Sequence, residues 1–392
     1  MDVPKVREYA ATLPNVVVAD RNLFTCSQDT QEKIKAYIRE YDLNRVVVAS
    51  CTPRTHETLF RETLRQGGLN KYIFEMANIR DQCSWVHMHE PEKATEKAKD
   101  LVRSAVAKAR LIQPLADISV SVNHNGLVIG GGVAGMVSAL DLAEQGVKTY
   151  LVERADKLGG QALKLYATYQ GDRVQAYVEN LIDQVNRHPL IHVFLNTTIQ
   201  DASGFVGNFT SMLVDMQGKE TRVDHGAIIM ATGGKPYTPK EYLYGKDPNV
   251  LLSLELDQEF IRGSDRLNQT KCAVFIQCVG SRIPERPYCS KACCTHSIQS
   301  ALALKKLNPD MNIYILYRDI RTSGEKERLY TEARERGILF IRYDLDNKPK
   351  VEKENSRFKV TVTDHVLQRP VEISPDIICL ATAILPSDNM PL

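Results

Sequence analysis

The sequence predicts an α/β protein with parallel sheets, and three observations carry that expectation. β-branched runs alternate with helical patterns from residue 15 onward. A glycine fingerprint stands between a strand pattern and a helix pattern near 130, and a further strand, helix, strand order begins near 270. At 392 residues the chain exceeds one ordinary core, so several domains are expected.

In order, the first stretch reads as strand NVVVAD at 15–20, a helix at 31–42, strand RVVVAS at 45–50, a helix at 56–67 and strand YIFEMAN at 72–78. This is a small Rossmann-like domain, assigned to 1–115. A long charged, alanine-rich helix at 91–112 follows, then a break at Gln113 and Pro114. A second unit opens at about 120 with SVSVNHNGLVIGGGVAGMVSALDLAEQGVKTYLVER, which has the order of a dinucleotide-binding βαβ. A third runs through KCAVFIQ from 271, a helix at 291–307, NIYILYRD at 312–319 and a charged helix at 324–336. No tandem repeat or low-complexity segment interrupts them.

Fifty Lys and Arg against 48 Asp and Glu leave a net charge of +2, which gives no electrostatic reason to expect nucleic acid as a partner. No apolar run approaches a bilayer span and the start carries no secretory signal, so direct membrane insertion is not expected and the cytoplasm is the expected location. Nine cysteines are too few for a disulfide scaffold. Four of them, Cys278, Cys289, Cys293 and Cys294, fall inside 17 residues, where composition alone places fewer than one.

The fingerprint is Gly130, Gly132 and Gly135, with Val133 and Ala134 opening the helix and Glu153 and Arg154 ending the next strand. The first glycine allows the turn, the second lets backbone N–H groups approach a pyrophosphate, and the third lets helix and strand pack closely. The helix N-terminus favours an anion, and Glu153 suits a ribose hydroxyl. Leu158-Gly159-Gly160 and the strand end MATGG at 230–234, with Thr232 and Gly233, resemble elements of thioredoxin-reductase-like flavoproteins with two dinucleotide-binding domains. That likeness favours FAD over NAD, although ordinary loop glycines would read the same way. IICLATAILP at 377–386 resembles the return to the FAD domain. The expected division is thus 118–240 with 381–392 for FAD and 241–380 for the middle domain. Because the chain ends six residues after Pro386, the segment that completes such a flavin site is expected to be missing.

Where the middle domain would carry a nicotinamide fingerprint, the sequence runs CVGSRIPERPYCSKACC at 278–294. Without closely spaced glycines no ordinary nicotinamide site is expected there. Four thiols suit an iron-sulfur cluster or zinc. The adjacent Cys293 and Cys294 argue against tetrahedral zinc, and unliganded thiols stay as the third reading. Cys272, inside the strand, reads as an apolar residue.

Together GLVIGGGVAGM, the four-cysteine block, VVVASCTPRTHE and FEMANIRDQCSWVH resemble the A-type iron-sulfur subunits of heterodisulfide reductase over essentially the entire chain. The resemblance implies FAD, a 4Fe-4S cluster on Cys278, Cys289, Cys293 and Cys294, and a relay, or bifurcation, of electrons to partner subunits. Those would be B- and C-like subunits and a hydrogenase or formate dehydrogenase module; a homodimer is compatible with it. Relative to that family the chain reads as shortened at both ends and lacks ferredoxin-like CxxCxxC segments. The resemblance also implies a cluster-binding N-terminal domain, for which Cys26, Cys51 and Cys83 are candidates, each placed after an expected strand; buried or loop cysteines are the alternative. His56, His87 and His89 are further ligand candidates or surface histidines, Trp85 is a packing residue or a relay, and Arg54 and Arg80 either face a cluster or are solvated. The rival functions are a flavoprotein subunit of a quinone-interacting membrane-bound oxidoreductase and a cofactor-free scaffold fragment.

Overall fold

The computed structural model describes residues 1–387 apart from residue 356. It divides into two compact units, Met1–Val120 and a second from Ser121 onward. The first contains helices α1 (Val3–Ala11) and α2 (Gln28–Glu40), strand β1 (Val46–Ser50), α3 (Pro53–Gly67), β2 (Phe74–Asn78) and α4 (Pro91–Leu111). β1 and β2 pair in parallel. Val6, Ala98 and Val102 of α1 and α4 pack with Ala77 on one face, and Ile38, Phe60 and Leu64 pack with Val48 and Met76 on the other. The expected strand at 15–20 is not one: its residues lie outside any ladder. Three consecutive valines give β propensity, but a strand exists only where another strand pairs with it.

The second unit holds two layered lobes. In the first lobe, β3 (Gly126–Ile129), α5 (Val133–Glu144), β4 (Thr149–Val152), α6 (Val174–Arg187) and β5 (Ile191–Phe194) are followed by an antiparallel meander of β6 (Thr197–Phe205), β7 (Asn208–Asp215) and β8 (Glu220–His225), and then β9 (Ala227–Met230). The parallel sheet runs β5-β4-β3-β9. Val128 and Leu151 face α5 and α6, while Leu127 and Ile129 face Leu213 and Val223 of the meander. The central strands β3 and β4 are therefore buried on both sides, which is why they read as continuous apolar runs.

The second lobe repeats the scheme. After β10 (Gly234–Pro236) come β11 (Val250–Leu252), α7 (Ser253–Arg262), α8 (Asp265–Gln269), β12 (Cys272–Val279), α9 (Cys293–Leu307), β13 (Asn312–Tyr317), α10 (Glu327–Glu335), β14 (Leu339–Arg342), a meander of β15 (Lys350–Glu354), β16 (Arg357–Asp364) and β17 (Arg369–Ile373), and finally β18 (Ile377–Thr382) and β19 (Ile384–Pro386). The parallel sheet runs β11-β18-β12-β13-β14. Ala273 and Phe275 face α7 and α9, and Val274 and Ile276 face Phe358 and Val360 of the meander. β10 and β19 pair antiparallel and carry the chain between the lobes. The fold is thus α/β with two dinucleotide-binding-type domains. Of the flavin-domain segment expected at 381–392, residues 388–392 lie outside the described residues. Among the described residues no helix is long and apolar enough to cross a membrane.

Within the first meander His225 is fully buried, its Nε2 2.9 Å from Ser211 Oγ and its ring stacked on Phe209. Burial holds its pKa below the ordinary 6.5, so the folded protein favours the neutral ring. Stability from this site is complete above pH 6.5 and is lost as pH falls from there toward the lowered folded value. The urea midpoint should decline from about pH 7.5 to about 5.5, and His225→Gln should flatten that decline; a parent curve already flat over the range would contradict this.

Candidate functional site

The glycine loop sits at the carboxyl end of β3. Gly130 has φ +109, and a Cβ there would run into the carbonyl of Ala231. A Cβ on Gly135 would collide with the carbonyl oxygen of Gly130, so α5 can cross β3 this closely only with glycine at that position. Gly132 differs: its φ is −75 and a Cβ there would meet nothing within 4 Å. It caps α5, whose first turn is Val133, half-buried, and Ala134, exposed. The loop therefore offers open space in front of a helix N-terminus, the arrangement that receives phosphate.

Glu153 lies beside this loop. Its Oε2 accepts the Gly131 N–H at 2.6 Å and its Oε1 the Ala155 N–H at 2.8 Å. Each carboxylate oxygen keeps lone-pair capacity for a further donor. Arg154 is exposed. Gly159 donates to the carbonyl of Gly131 at 2.8 Å, and Gly160 packs on Gly132, so the second glycine pair forms the loop's flank. Across the sheet, Thr232 accepts the Ser387 hydroxyl at 2.8 Å and Gly233 turns the chain at φ +63 into β10. The structure thus gathers Gly130, Gly132, Gly135, Glu153, Gly159 and Gly160 in one place.

At the end of β12 the chain does something different. Thirteen residues, 280–292, separate β12 from α9. The ladder to β18 shifts register between Ile276 and Val279, and Cys278 takes φ +59. Arg282 and Lys291 also have positive φ, which for such residues costs about 1 kcal/mol each. Cys278 and Cys294 are buried, Cys289 and Cys293 half-buried, and Cys293 and Cys294 open α9. Burial pushes the Cys293 thiol up to about 12, with Cys294, Cys278 and Cys289 adding to it. Burial also raises Cys278 and Cys294; Arg282 and Arg318 oppose this at Cys278, and the backbone at Arg321 opposes it at Cys294. Arginines thus stand near Cys278 and Cys294.

Two of these sulfurs are engaged elsewhere: Cys289 Sγ accepts the Lys291 N–H at 3.4 Å, and the Cys294 thiol donates to the Asp319 carbonyl at 3.6 Å. Among the described residues no group of three or more His, Cys, Asp or Glu is arranged to hold a metal ion. The donor chemistry nonetheless fits an anionic thiolate-bound group. Arg282 pairs with Asp319 at 2.5 Å through Nη2, while its Nη1 is buried without a hydrogen-bond partner. Both amide atoms of Gln277 and the Ser297 hydroxyl are buried without partners too. Such groups are costly to leave unsatisfied, and here they adjoin the cysteines in sequence. Cys272 is half-buried at the start of β12, its N–H bonded to Asp376.

Sequence reasoning missed Asp257 and His296. Asp257, 2% exposed, accepts the Tyr166 N–H at 3.1 Å and lies 2.9 Å from His296 Nε2. Tyr166 follows the Gly159 loop, and His296 lies two residues after Cys294. One carboxylate therefore ties the glycine-loop side to the helix that carries the cysteines. Aspartate and histidine within helical patterns gave no sequence signal of this.

In the N-terminal unit Cys26 is exposed in a loop, Cys51 is buried just after β1, and Cys83 is buried with its thiol donating to Ala94 at 2.9 Å. Burial raises Cys83, and the charges that act on it are Lys97 and the N-terminal amine, not the other two thiols. Trp85 is exposed under Arg80, which also pairs with Asp81; His87 pairs with Glu90; His89 and Arg54 are exposed and His56 half-buried.

A family model described as pyridine nucleotide-disulphide oxidoreductase matches residues 124–274. The A-type subunit of the H(2):CoB-CoM heterodisulfide,ferredoxin reductase of Methanothermobacter thermautotrophicus is 34% identical over 99% of this chain and 73% of its own length. One of the two A-type iron-sulfur subunits of CoB--CoM heterodisulfide reductase from Methanopyrus kandleri is 35% identical over 99% and 73%. Among solved structures, a thioredoxin reductase from T. acidophilum matches with a TM-score of 0.46 and 14% identity over 67% of this chain and 78% of that one.

The two kinds of glycine make separate forecasts. Gly135→Ala should cost about 3 kcal/mol of stability because only backbone could yield, whereas Gly132→Ala should melt like the parent. Equal melting temperatures for all three proteins would contradict the packing described.

Proposed function

Because the chain belongs to the family of A-type heterodisulfide reductase subunits, we propose that it is an electron-relay protein holding FAD at the Gly130 loop and a 4Fe-4S cluster at Cys278, Cys289, Cys293 and Cys294. That it is an oxidoreductase subunit follows from its relatives and from the matched domain. The observation that carries the finer reading is the irregular junction at which Cys278 takes φ +59 and Cys293 and Cys294 open α9, in the lobe next to the one with the open glycine loop.

In this reading the α5 N-terminus and the N–H groups around Gly132 receive the pyrophosphate of FAD, and Glu153 accepts a ribose hydroxyl while holding Gly131 in place. Gly159 and Gly160 wall the same site. The four cysteines supply the soft ligands, and Arg282 and Arg318 offset the negative charge of a thiolate-bound cluster. Bound there, FAD would supply two-electron chemistry and the cluster one-electron transfer, the exchange that a relay between donors and acceptors requires. No general acid, base or nucleophile is needed from the chain. Asp257 fixes the Gly159 side against α9, so the two sites are held in register. The partners in this proposal are B- and C-like subunits with a hydrogenase or formate dehydrogenase module. The N-terminal thiols are left out of it, since Cys83 is turned into the core.

Iron, acid-labile sulfide and flavin should be counted on anaerobically purified Cys293→Ser, Cys272→Ser and parent. We expect Cys293→Ser to lose about four iron atoms per chain and keep its flavin, and Cys272→Ser to match the parent. Unchanged iron in Cys293→Ser would mean that the ligand assignment is wrong, and a colourless parent would favour the scaffold reading.

A further inference from the structure

The register shift in β12 is held from two strands away. Between Ile276 opposite Leu380 and Val279 opposite Thr382, β12 spends two residues, Gln277 and Cys278, where β18 spends one, so a bulge interrupts the ladder there. Cys278 takes a left-handed backbone within it, at φ +59. A residue with a side chain keeps that conformation only where its surroundings over-determine it. Two side chains supply the constraint, one on each side of Cys278. The Tyr343 hydroxyl donates to the Gln277 carbonyl at 2.5 Å, and Arg318 Nη1 donates to the Arg282 carbonyl at 2.7 Å. The first of these bonds falls on the peptide that joins Gln277 to Cys278.

Tyr343 reaches the bulge from a rigid base. It follows β14, and the sheet order β12-β13-β14 puts two strand spacings, about 10 Å, between its backbone and β12. Its N–H is tied to the Tyr317 carbonyl at 2.8 Å, and its side chain, 4% exposed, belongs to the core that includes Ile276, Leu316 and Ile341. The hydroxyl is therefore delivered to a fixed place. Tyr343, Cys278 and Arg318 also line one small recess. We propose that Tyr343 is a positioning residue for the Cys278 ligand: its phenol pins the Gln277 carbonyl and so fixes the bulge that sets the backbone of Cys278. The inference rests on the cluster proposed above.

Tyr343→Phe removes the donor and keeps the ring. Tyr244→Phe is the control, because it deletes another phenol oxygen of the same lobe, one that donates to Glu255 at 2.8 Å. In the iron-free, reduced chain, alkylation of Cys278 should be about tenfold faster in Tyr343→Phe than in the parent, since an unpaired buried carbonyl is worth roughly that factor. In the iron-loaded chain the same variant should lose iron to a chelator about tenfold faster, and the electron paramagnetic resonance spectrum of its reduced cluster should shift. Tyr244→Phe should match the parent throughout. If Tyr343→Phe does not fold, Tyr343→Met fills the core without a hydroxyl and takes its place. A parent-like result in any of the three measurements overturns the inference, and so does an equal change in the control. A parent that carries no iron fails the relay reading instead, and alkylation alone then decides whether Tyr343 holds the bulge.

Discussion

The dinucleotide end of the second unit depends on one crowded contact, the backbone of Gly135 against the carbonyl of Gly130. That contact lets α5 lie close over β3, and the close crossing sets where the α5 N-terminus points. Gly132 is then left facing open space, Glu153 can reach the Gly131 N–H at 2.6 Å, and the Gly159 turn can hydrogen-bond to Gly131. A side chain at Gly135 would push the helix outward and separate these groups together. The phosphate-receiving role proposed for the loop thus depends on packing before it depends on electrostatics.

The second lobe uses the same strand-to-helix junction for a different end. A junction of 13 residues replaces a tight glycine turn, and sulfur replaces backbone N–H as the donor brought to the helix N-terminus. Positive φ at Cys278, Arg282 and Lys291 concentrates strain in that junction, and the buried Arg282 Nη1 and Gln277 amide go unsatisfied. Strain and orphaned polar groups together are what single out this junction for the site proposed there. Asp257 links this junction to the first lobe through Tyr166 and His296.

Much of this was legible in the sequence because buried parallel strands read as unbroken apolar runs. β3, β4, β12, β13 and β18 all stand where such runs predicted them. The meanders β6–β8 and β15–β17 went unread, since they pack on one face only and their exposed faces dilute the pattern with charge, as in Lys350–Glu354. The run at 15–20 misled for the opposite reason: its composition is strand-like, but pairing is decided by a neighbour and not by propensity. Glu153 was legible from spacing alone, whereas the Asp257 bridge depends on tertiary contact and no local pattern marks it.

A fluorescence titration of the folded chain with FAD, run alongside Gly132→Ala, bears most closely on the loop as a phosphate receptor. Quenching should saturate at one equivalent for the parent, and affinity should weaken about tenfold or more, some 1.4 kcal/mol, when a methyl group occupies the space before α5. Equal affinity in the two proteins, or no saturable binding by the parent, would contradict the role given to that space.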